Sequence, residues 1–268
     1  FRLNDKKADI IIWIPNFYST KYWGNDNFIK DFSTYLALKK ENNYVSIFVH
    51  KNIGNFRNKK IFIFASAFSD VFSFDNYTKT FLYITQELEM QNNIVFPSSS
   101  ELKFWENKSY MHDRFEEFNI NTPKTIMYNL GIDINEILKD YSFPFLIKEE
   151  HSCSSKGVHK VNSKEEFCTL VKTKNFKKMN SKIICQDLLK MTKDLRVIFV
   201  GNKVVVHYWR INLEKEWRPT TTGNGSKVDF DFFPLNLEKY LVSVNKRLEL
   251  KTSAYDIIFP SDIICRCF

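Results

Sequence analysis

An ordered series of charged and polar residues runs through the last two thirds of the chain. Lys108 follows Asn107 at the head of a helical stretch, and Lys148 closes the apolar run Phe143–Lys148. A polar loop comes next, Ser152-Cys153-Ser154-Ser155-Lys156-Gly157, then Gln186-Asp187-Leu188-Leu189 at the end of another apolar run. Asp194 and Arg196 open a pair of alternating runs that Arg210 closes; Trp217-Arg218 and Asn224 lie in a loop, and Asp256 sits inside a final apolar run. Lysine offers an anion a point charge and arginine a planar fork. Serine hydroxyls and backbone N–H groups donate to oxyanions, and a carboxylate is a hard oxygen donor suited to a small divalent cation. Taken singly, each has an ordinary explanation: a solvated lysine, a hairpin turn at Ser-Ser-Lys-Gly, an aspartate capping its neighbour.

Other chemistries are absent from the pattern. No GxGxxG follows the first apolar run and no GxxxxGK[ST] occurs, so neither the Rossmann nor the Walker phosphate loop is supported. The five histidines, at 50, 112, 151, 159 and 207, form no HExxH and no spaced ligand pair. The five cysteines are odd in number and lack a CxxC, which excludes a disulfide framework and a zinc ribbon and fits reduced thiols in a cytoplasm.

Composition narrows the field further. Of 268 residues, 44% are hydrophobic and 16% aromatic, enough to build a core rather than a disordered chain. The net charge of +8 admits a nucleic acid, an anionic membrane face or a phosphorylated ligand as partner, or simply solvated lysines. Seven glycines are well under half of what a typical content of about 7% would give; four of them, Gly157, Gly201, Gly223 and Gly225, fall in the polar loop, a turn and the Trp217–Lys227 loop. The longest wholly apolar run, Ile10–Ile14, is too short to span a bilayer, and no signal-peptide pattern opens the chain.

The elements that must position these residues follow from periodicity. Ile10–Ile14, Tyr44–His50, Lys60–Phe64 and Asn93–Phe96 read as buried strands, with helices at Asn27–Lys40 and Tyr77–Gln91 between them. Alternation of this kind predicts a mostly parallel sheet in a first lobe, 1–97. After Pro97–Ser100 comes a helix over Asn107–Phe118. Strands are expected at Lys124–Tyr128, Phe143–Lys148, Val158–Val161 and Lys182–Leu188. Capping boxes at Asp133/Glu136 and Ser163/Glu166 open helices reaching Tyr141 and Lys174. Leu195–Val200 and Lys203–Arg210, joined by Gly201-Asn202, read as a hairpin. A helix carries Leu237, Leu241, Val244 and Leu248 on one stripe, and a strand over Ser253–Phe259 follows.

The order and spacing of the series, from about Ser98 to Phe259, resemble the ATP-grasp superfamily, and within it the RimK-type carboxylate–amine ligases. The resemblance rests on Glu106-Asn107-Lys108, Asn121-Thr122-Pro123-Lys124-Thr125, and the Asp194-x-Arg196 hairpin with Arg210 and Trp217-Arg218. It implies an α/β fold with grasp lobes: a parallel α/β lobe at 1–97, a small lobe with a linker helix at 98–190, a large lobe at 191–268, and ATP between the grasp lobes. Lys108 and Lys148 would then meet the α- and β-phosphates, and Ser154, Ser155, Lys156 and Gly157 would fold over them. Gln186, Asp187, Leu188 and Leu189 would read adenine through their backbone. Asp194 would reach ribose or orient neighbouring groups, with Arg196 beside it, and Arg210 and Arg218 would neutralise the γ-phosphate and the substrate carboxylate. Asp256, with Asn224, would hold Mg²⁺ or Mn²⁺.

The implied reaction is ATP-dependent joining of a carboxylate to an amine through an acyl phosphate, on small-molecule or peptide substrates, with Asn16–Trp23 as candidate acceptor lining. No specific nucleic acid is expected. Two departures stand out. The family follows its last aspartate strand with a Glu-x-Asn pair, and Arg266 stands near that place here; Thr220 stands where an asparagine is common. Either the chain is truncated near its C-terminus or it is a degenerate, catalytically impaired ATP-binding scaffold. A basic nucleic-acid-binding protein is the reading from another class.

Overall fold

The structure is a computed structural model, which describes residues 8–15, 26–41, 44–50, 53–63, 77–152, 155, 157–214, 217–220, 225–259 and 266–267. The chain divides into two compact units, Phe1–Trp105 and Glu106–Phe268.

In the first unit, strands β1 (Ile10–Pro15), β2 (Val45–His50), β3 (Lys60–Ile63) and β4 (Ile94–Phe96) form a parallel sheet in the order β2-β1-β3-β4. Ile10, Ile11, Ile12 and Trp13 are all buried, so β1 reads as a continuous apolar run because both of its faces are covered. Helices α1 (Asp26–Lys40) and α2 (Tyr77–Met90) lie between the strands in sequence, and α2 buries Phe81, Ile84 and Leu88 along one stripe. The short helix α3 (Ser99–Leu102) was not anticipated. Ser98 caps it, its Oγ accepting from the Glu101 amide while Glu101 accepts from the Ser98 amide, a complete capping box inside the serine run.

The second unit opens with α4 (Lys108–Glu117), capped by Asn107 Oδ1, which accepts from the Tyr110 amide at 3.2 Å. Strands β5 (Thr125–Asn129), β6 (Phe145–Lys148), β7 (Val158–Val161) and β8 (Lys182–Asp187) make an antiparallel sheet, order β5-β8-β6-β7. Between these strands lie α5 (Ile134–Ile137), α6 (Lys164–Lys172) and α7 (Lys174–Met179). Phe145, Ile147, Phe167, Phe176, Ile183 and Cys185 share one core.

Local chemistry explains where these elements differ from expectation. Asp133 caps α5 at the Asn135 amide rather than as a box, and α5 lasts a single turn. Ser163 caps α6, but Glu166 reaches back to the Asn162 amide, one residue short of a box. The helix expected to run to Lys174 stops at Thr173, whose hydroxyl caps a further helix, α7.

The other sheet has the order β11-β10-β9-β12-β13, built from β9 (Lys193–Val200), β10 (Lys203–Ile211), β11 (Lys227–Asp229), β12 (Thr252–Ile258) and β13 (Arg266–Cys267). Gly201, at φ +64°, makes the β9–β10 turn, as the two-residue Gly-Asn signal implies. Helix α8 (Leu237–Leu248) buries Leu237, Leu241, Val244 and Leu248. It is tied to β12 through Asn245 Oδ1, which accepts from the Tyr255 and Ser253 hydroxyls at 2.6 and 2.7 Å. The short strands β11 and β13 carried no sequence signal. The fold is mixed α/β, as expected.

Candidate functional site

Lys108 stands at the first turn of α4 because Asn107 stops the preceding chain and starts the helix. Its backbone amide donates to the Glu150 carbonyl, and its Nζ donates to the Ser152 carbonyl and hydroxyl at 2.6 and 2.8 Å. One turn on, at i+4, His112 shares the face of α4 that carries Lys108. Lys148 ends β6, between Val158 of β7 and Ile184 of β8. Lys148 is buried, and burial lowers its ammonium to about 7; the positive charge of Lys108 adds to that fall and Asp256 opposes it. Burial, then the charges of Lys148 and Lys108, press the His112 imidazole down to about 3. Three nitrogen bases therefore gather around one positive centre.

The segment after β6 is braced by buried polar bonds. The Glu150 amide donates to Asn180 Oδ1, and its carboxylate accepts from the Ser181 amide and hydroxyl at 2.8 and 2.6 Å. Burial pushes this carboxyl up, but the bonds to it win and hold it below the ordinary range. Gly157 is required by space rather than by φ. A Cβ there would lie 2.2 Å from Ser152 Oγ and 2.8 Å from the Glu149 Cβ, while the Glu149 amide donates to the Gly157 carbonyl at 2.7 Å. Ser155 takes the left-handed conformation, φ +61°. Ser154 and Lys156 lie outside the described residues.

Gln186, fully buried, is the penultimate residue of β8, opposite Thr125 and Leu146, and its Nε2 donates to the Thr125 hydroxyl at 2.7 Å. Asp187, Leu188 and Leu189 follow, half-buried, with the Asp187 amide donating to the Lys124 carbonyl.

A second charged cluster spans β9, β10 and β12. Asp194 opposes Arg210, and Arg196 opposes Asp256. Arg210 Nε donates to Asp194 Oδ1 at 3.0 Å, and its Nη2 contacts Asp194 Oδ2 and, at 2.9 Å, Asp256 Oδ1. Arg196 Nη1 donates to that same Asp256 oxygen at 2.6 Å. Burial works against the Arg210 cation, but its bonds to Asp194 and the charge of Asp256 raise it above its ordinary range. Thr220, buried, hydrogen-bonds Asp194. Arg218 Nε donates to Asn212 Oδ1 at 3.1 Å. Asn224 and the expected acceptor lining Asn16–Trp23 lie outside the described residues.

The lysines and arginines thus form two centres, linked electrostatically through Asp256, which contacts Arg210 and whose charge also bears on Lys148. A family model, the RimK-like ATP-grasp domain, matches residues 106–263, which covers both centres. The chain belongs to the RimK-like ATP-grasp family. A search of curated proteins found no match. Among solved structures, this RimK-like protein is similar to D-alanine–D-alanine ligase from Bacillus anthracis, with a TM-score of 0.69 at 12% identity, over 97% of this chain and 85% of that one. It is similar to a RimK domain ATP-grasp protein from Sphaerobacter thermophilus, with a TM-score of 0.66 at 10% identity, over 96% and 88% of the two chains. The ATP-grasp ligase PsnB, in complex with a minimal precursor, gives 0.65 at 11%, over 97% and 88%. These likenesses carry the fold of ATP-grasp ligases.

Residue order alone missed three residues that the structure brings to these two centres, His112, Glu150 and Asn212; Thr220 it named only as a departure from the family pattern, without its contact to Asp194. His112 had a usable signal, its i+4 spacing from Lys108. The others are recognisable only from what they hold in place. Among the described residues no three His, Cys, Asp or Glu side chains come together as a metal site. No helix among them is long and apolar enough to cross a membrane.

Proposed function

We propose that the protein is an ATP-dependent ligase that joins a carboxylate to an amine through an acyl phosphate. The observation that carries this reading is buried Lys148 at the end of β6, whose ammonium is disfavoured by burial and by the positive charge of the half-buried Lys108. A polyphosphate seated there would relieve both the repulsion and the burial cost, because oppositely charged oxygens favour the protonated lysines. In support, the Bacillus anthracis ligase has been captured with ATP, and PsnB with magnesium and ADP.

In this reading Lys108 and Lys148 hold the α- and β-phosphates, with Ser155, Gly157 and the neighbouring Ser154 and Lys156 covering them. Gln186 to Leu189 border adenine, and Asp194 and Arg196 lie on its ribose side. Arg210 and Arg218 stabilise charge at the γ-phosphate and the substrate carboxylate. A carboxylate oxygen attacks the γ-phosphorus; the new O–P bond forms as the bond to the β-phosphate oxygen breaks and ADP leaves. The amine then attacks the acyl carbon, the C–N bond forms, phosphate departs and the nitrogen loses a proton. The protein contributes alignment and charge neutralisation.

Asp256 and Asn224 are the residues that would hold Mg²⁺, which would supply further charge neutralisation at the phosphates. Oδ1 of Asp256 is engaged by both Arg196 and Arg210, and the described residues alone do not complete a metal site. That engagement favours a second reading, an ATP-binding scaffold with little turnover.

Calorimetric titration with ATP and Mg²⁺ tests the binding, with Lys148→Ala expected to abolish it. Incubation with ATP, a panel of carboxylates and hydroxylamine tests the chemistry. Hydroxamate and ADP formation support the ligase, ATP binding without ADP selects the scaffold, and no ATP binding rejects both. A steep salt dependence of binding to a random oligonucleotide would instead revive the nucleic-acid reading.

A further inference from the structure

His112 is 94% buried, its relative exposure being 6%. Among the described residues its Nε2 has no hydrogen-bond partner. The ring packs edge-on against Phe115, with centroids 5.9 Å apart, which accounts for the carbon part of the side chain and leaves the nitrogen unexplained. Buried polar atoms in native proteins are almost always satisfied, so an orphan nitrogen calls for a ligand or a functional role. Its surroundings say which kind of ligand. His112 lies one helical turn beyond Lys108 on the same face of α4, and both Lys108 and Lys148 are near enough for their positive charges to bear on it. A further cation is unwelcome there, and the imidazole stays neutral. A neutral imidazole donates one N–H, and the group that satisfies a donor beside two ammoniums is an anionic oxygen.

We propose that His112 is a third phosphate ligand: its neutral imidazole donates Nε2–H to an oxygen of the nucleotide phosphates held by Lys108 and Lys148. This rests on the nucleotide site proposed above. It adds to that site a ligand that carries no charge, so three donors converge on the phosphates while only two repel one another in the empty protein.

The test is calorimetric titration of the full chain with ATP and Mg²⁺, comparing wild type with His112→Phe and His112→Gln, and parallel ¹⁵N spectra of the histidine side chains in the wild type. Phenylalanine keeps the ring and its contact with Phe115 but lacks the N–H; glutamine restores a donor. Loss of one such bond is expected to weaken ATP binding roughly tenfold in His112→Phe, while His112→Gln stays within about threefold of wild type on the same grounds. The Nε2 resonance of His112 should move on ATP addition while its neutral pattern persists. ATP binding by wild type with equal affinity in both variants, or with an unmoved Nε2 resonance, overturns the proposal and leaves the nucleotide reading intact. No ATP binding by wild type overturns the nucleotide reading and this proposal with it. If His112→Phe does not fold, the wild-type Nε2 resonance with and without ATP still decides.

Discussion

Asp194 and Arg210 face one another in register across β9 and β10, and both Nε and Nη2 of the arginine contact the two carboxylate oxygens. Both side chains are almost wholly buried. A buried pair of this kind stabilises little by its presence but costs much when one partner is lost, since the survivor is left charged without its match. Asp194→Ala should therefore destabilise the protein by about 3 kcal/mol, the low end for such pairs because Asp256 still contacts Arg210. Asp194→Asn, which keeps an oxygen acceptor, should cost less. Urea denaturation measures both; a change within error for the alanine variant would refute the argument.

Lys148 titrates near 7 in the folded protein against 10.5 when exposed. Below about pH 7 both states hold the proton, and the folded state bears the full cost of a buried charge. Between 7 and 10.5 the unfolded chain keeps a proton that the folded one has released, so stability rises with pH across that window. Lys148→Met should flatten that rise, as read by denaturation midpoints on both sides of pH 7. ATP binding above about pH 7 should draw a proton onto Lys148, detectable as a buffer-dependent binding enthalpy.

Gly157 leaves the space that the Ser152 side chain fills. Gly157→Ala should force the loop apart at a cost of about 1–3 kcal/mol. The double variant with Ser152→Gly should recover part of that, because the close approach to Glu149 remains. Melting temperatures of the three proteins check the order; equal melting of the single variant and wild type would show that the loop yields freely.

Glu150 braces the start of the same loop through Ser181, and its carboxyl sits below the ordinary range. Its contribution is present above the usual carboxylate pKa and fades as acid protonates it. Glu150→Ala should lower stability by roughly 1–3 kcal/mol at neutral pH and by less in acid. Denaturation at neutral and acid pH measures the difference, and a loss that does not shrink in acid would contradict it.

The parts of the fold legible in the sequence were those written in short-range pattern. The apolar run of β1, the Gly201-Asn202 turn and the Leu237–Leu248 stripe each encode their structure within a few residues, because strand burial, turn conformation and helix amphipathicity are local properties. Thr173 shows the limit: its hydroxyl caps α7 just where α6 ends, and that second helix carried no signal in the pattern. The strands β11 and β13, with three and two residues, are too short to carry a period at all.

The site divides along the same line. Sequence order alone placed Lys108 at a helix start, Lys148 at a strand end and Asp194, Arg196 and Arg210 in one hairpin, since each position follows from the element that bears it. Only the tertiary structure decided that Asp256 would sit opposite Arg196 and contact Arg210, that Ser152 would fill the space at Gly157, and that His112 would be buried within reach of the charges of two lysines, without a partner for its Nε2 among the described residues. Those outcomes depend on strand register and on helix packing between residues far apart in the chain, and no local pattern records which distant charge a buried side chain will meet.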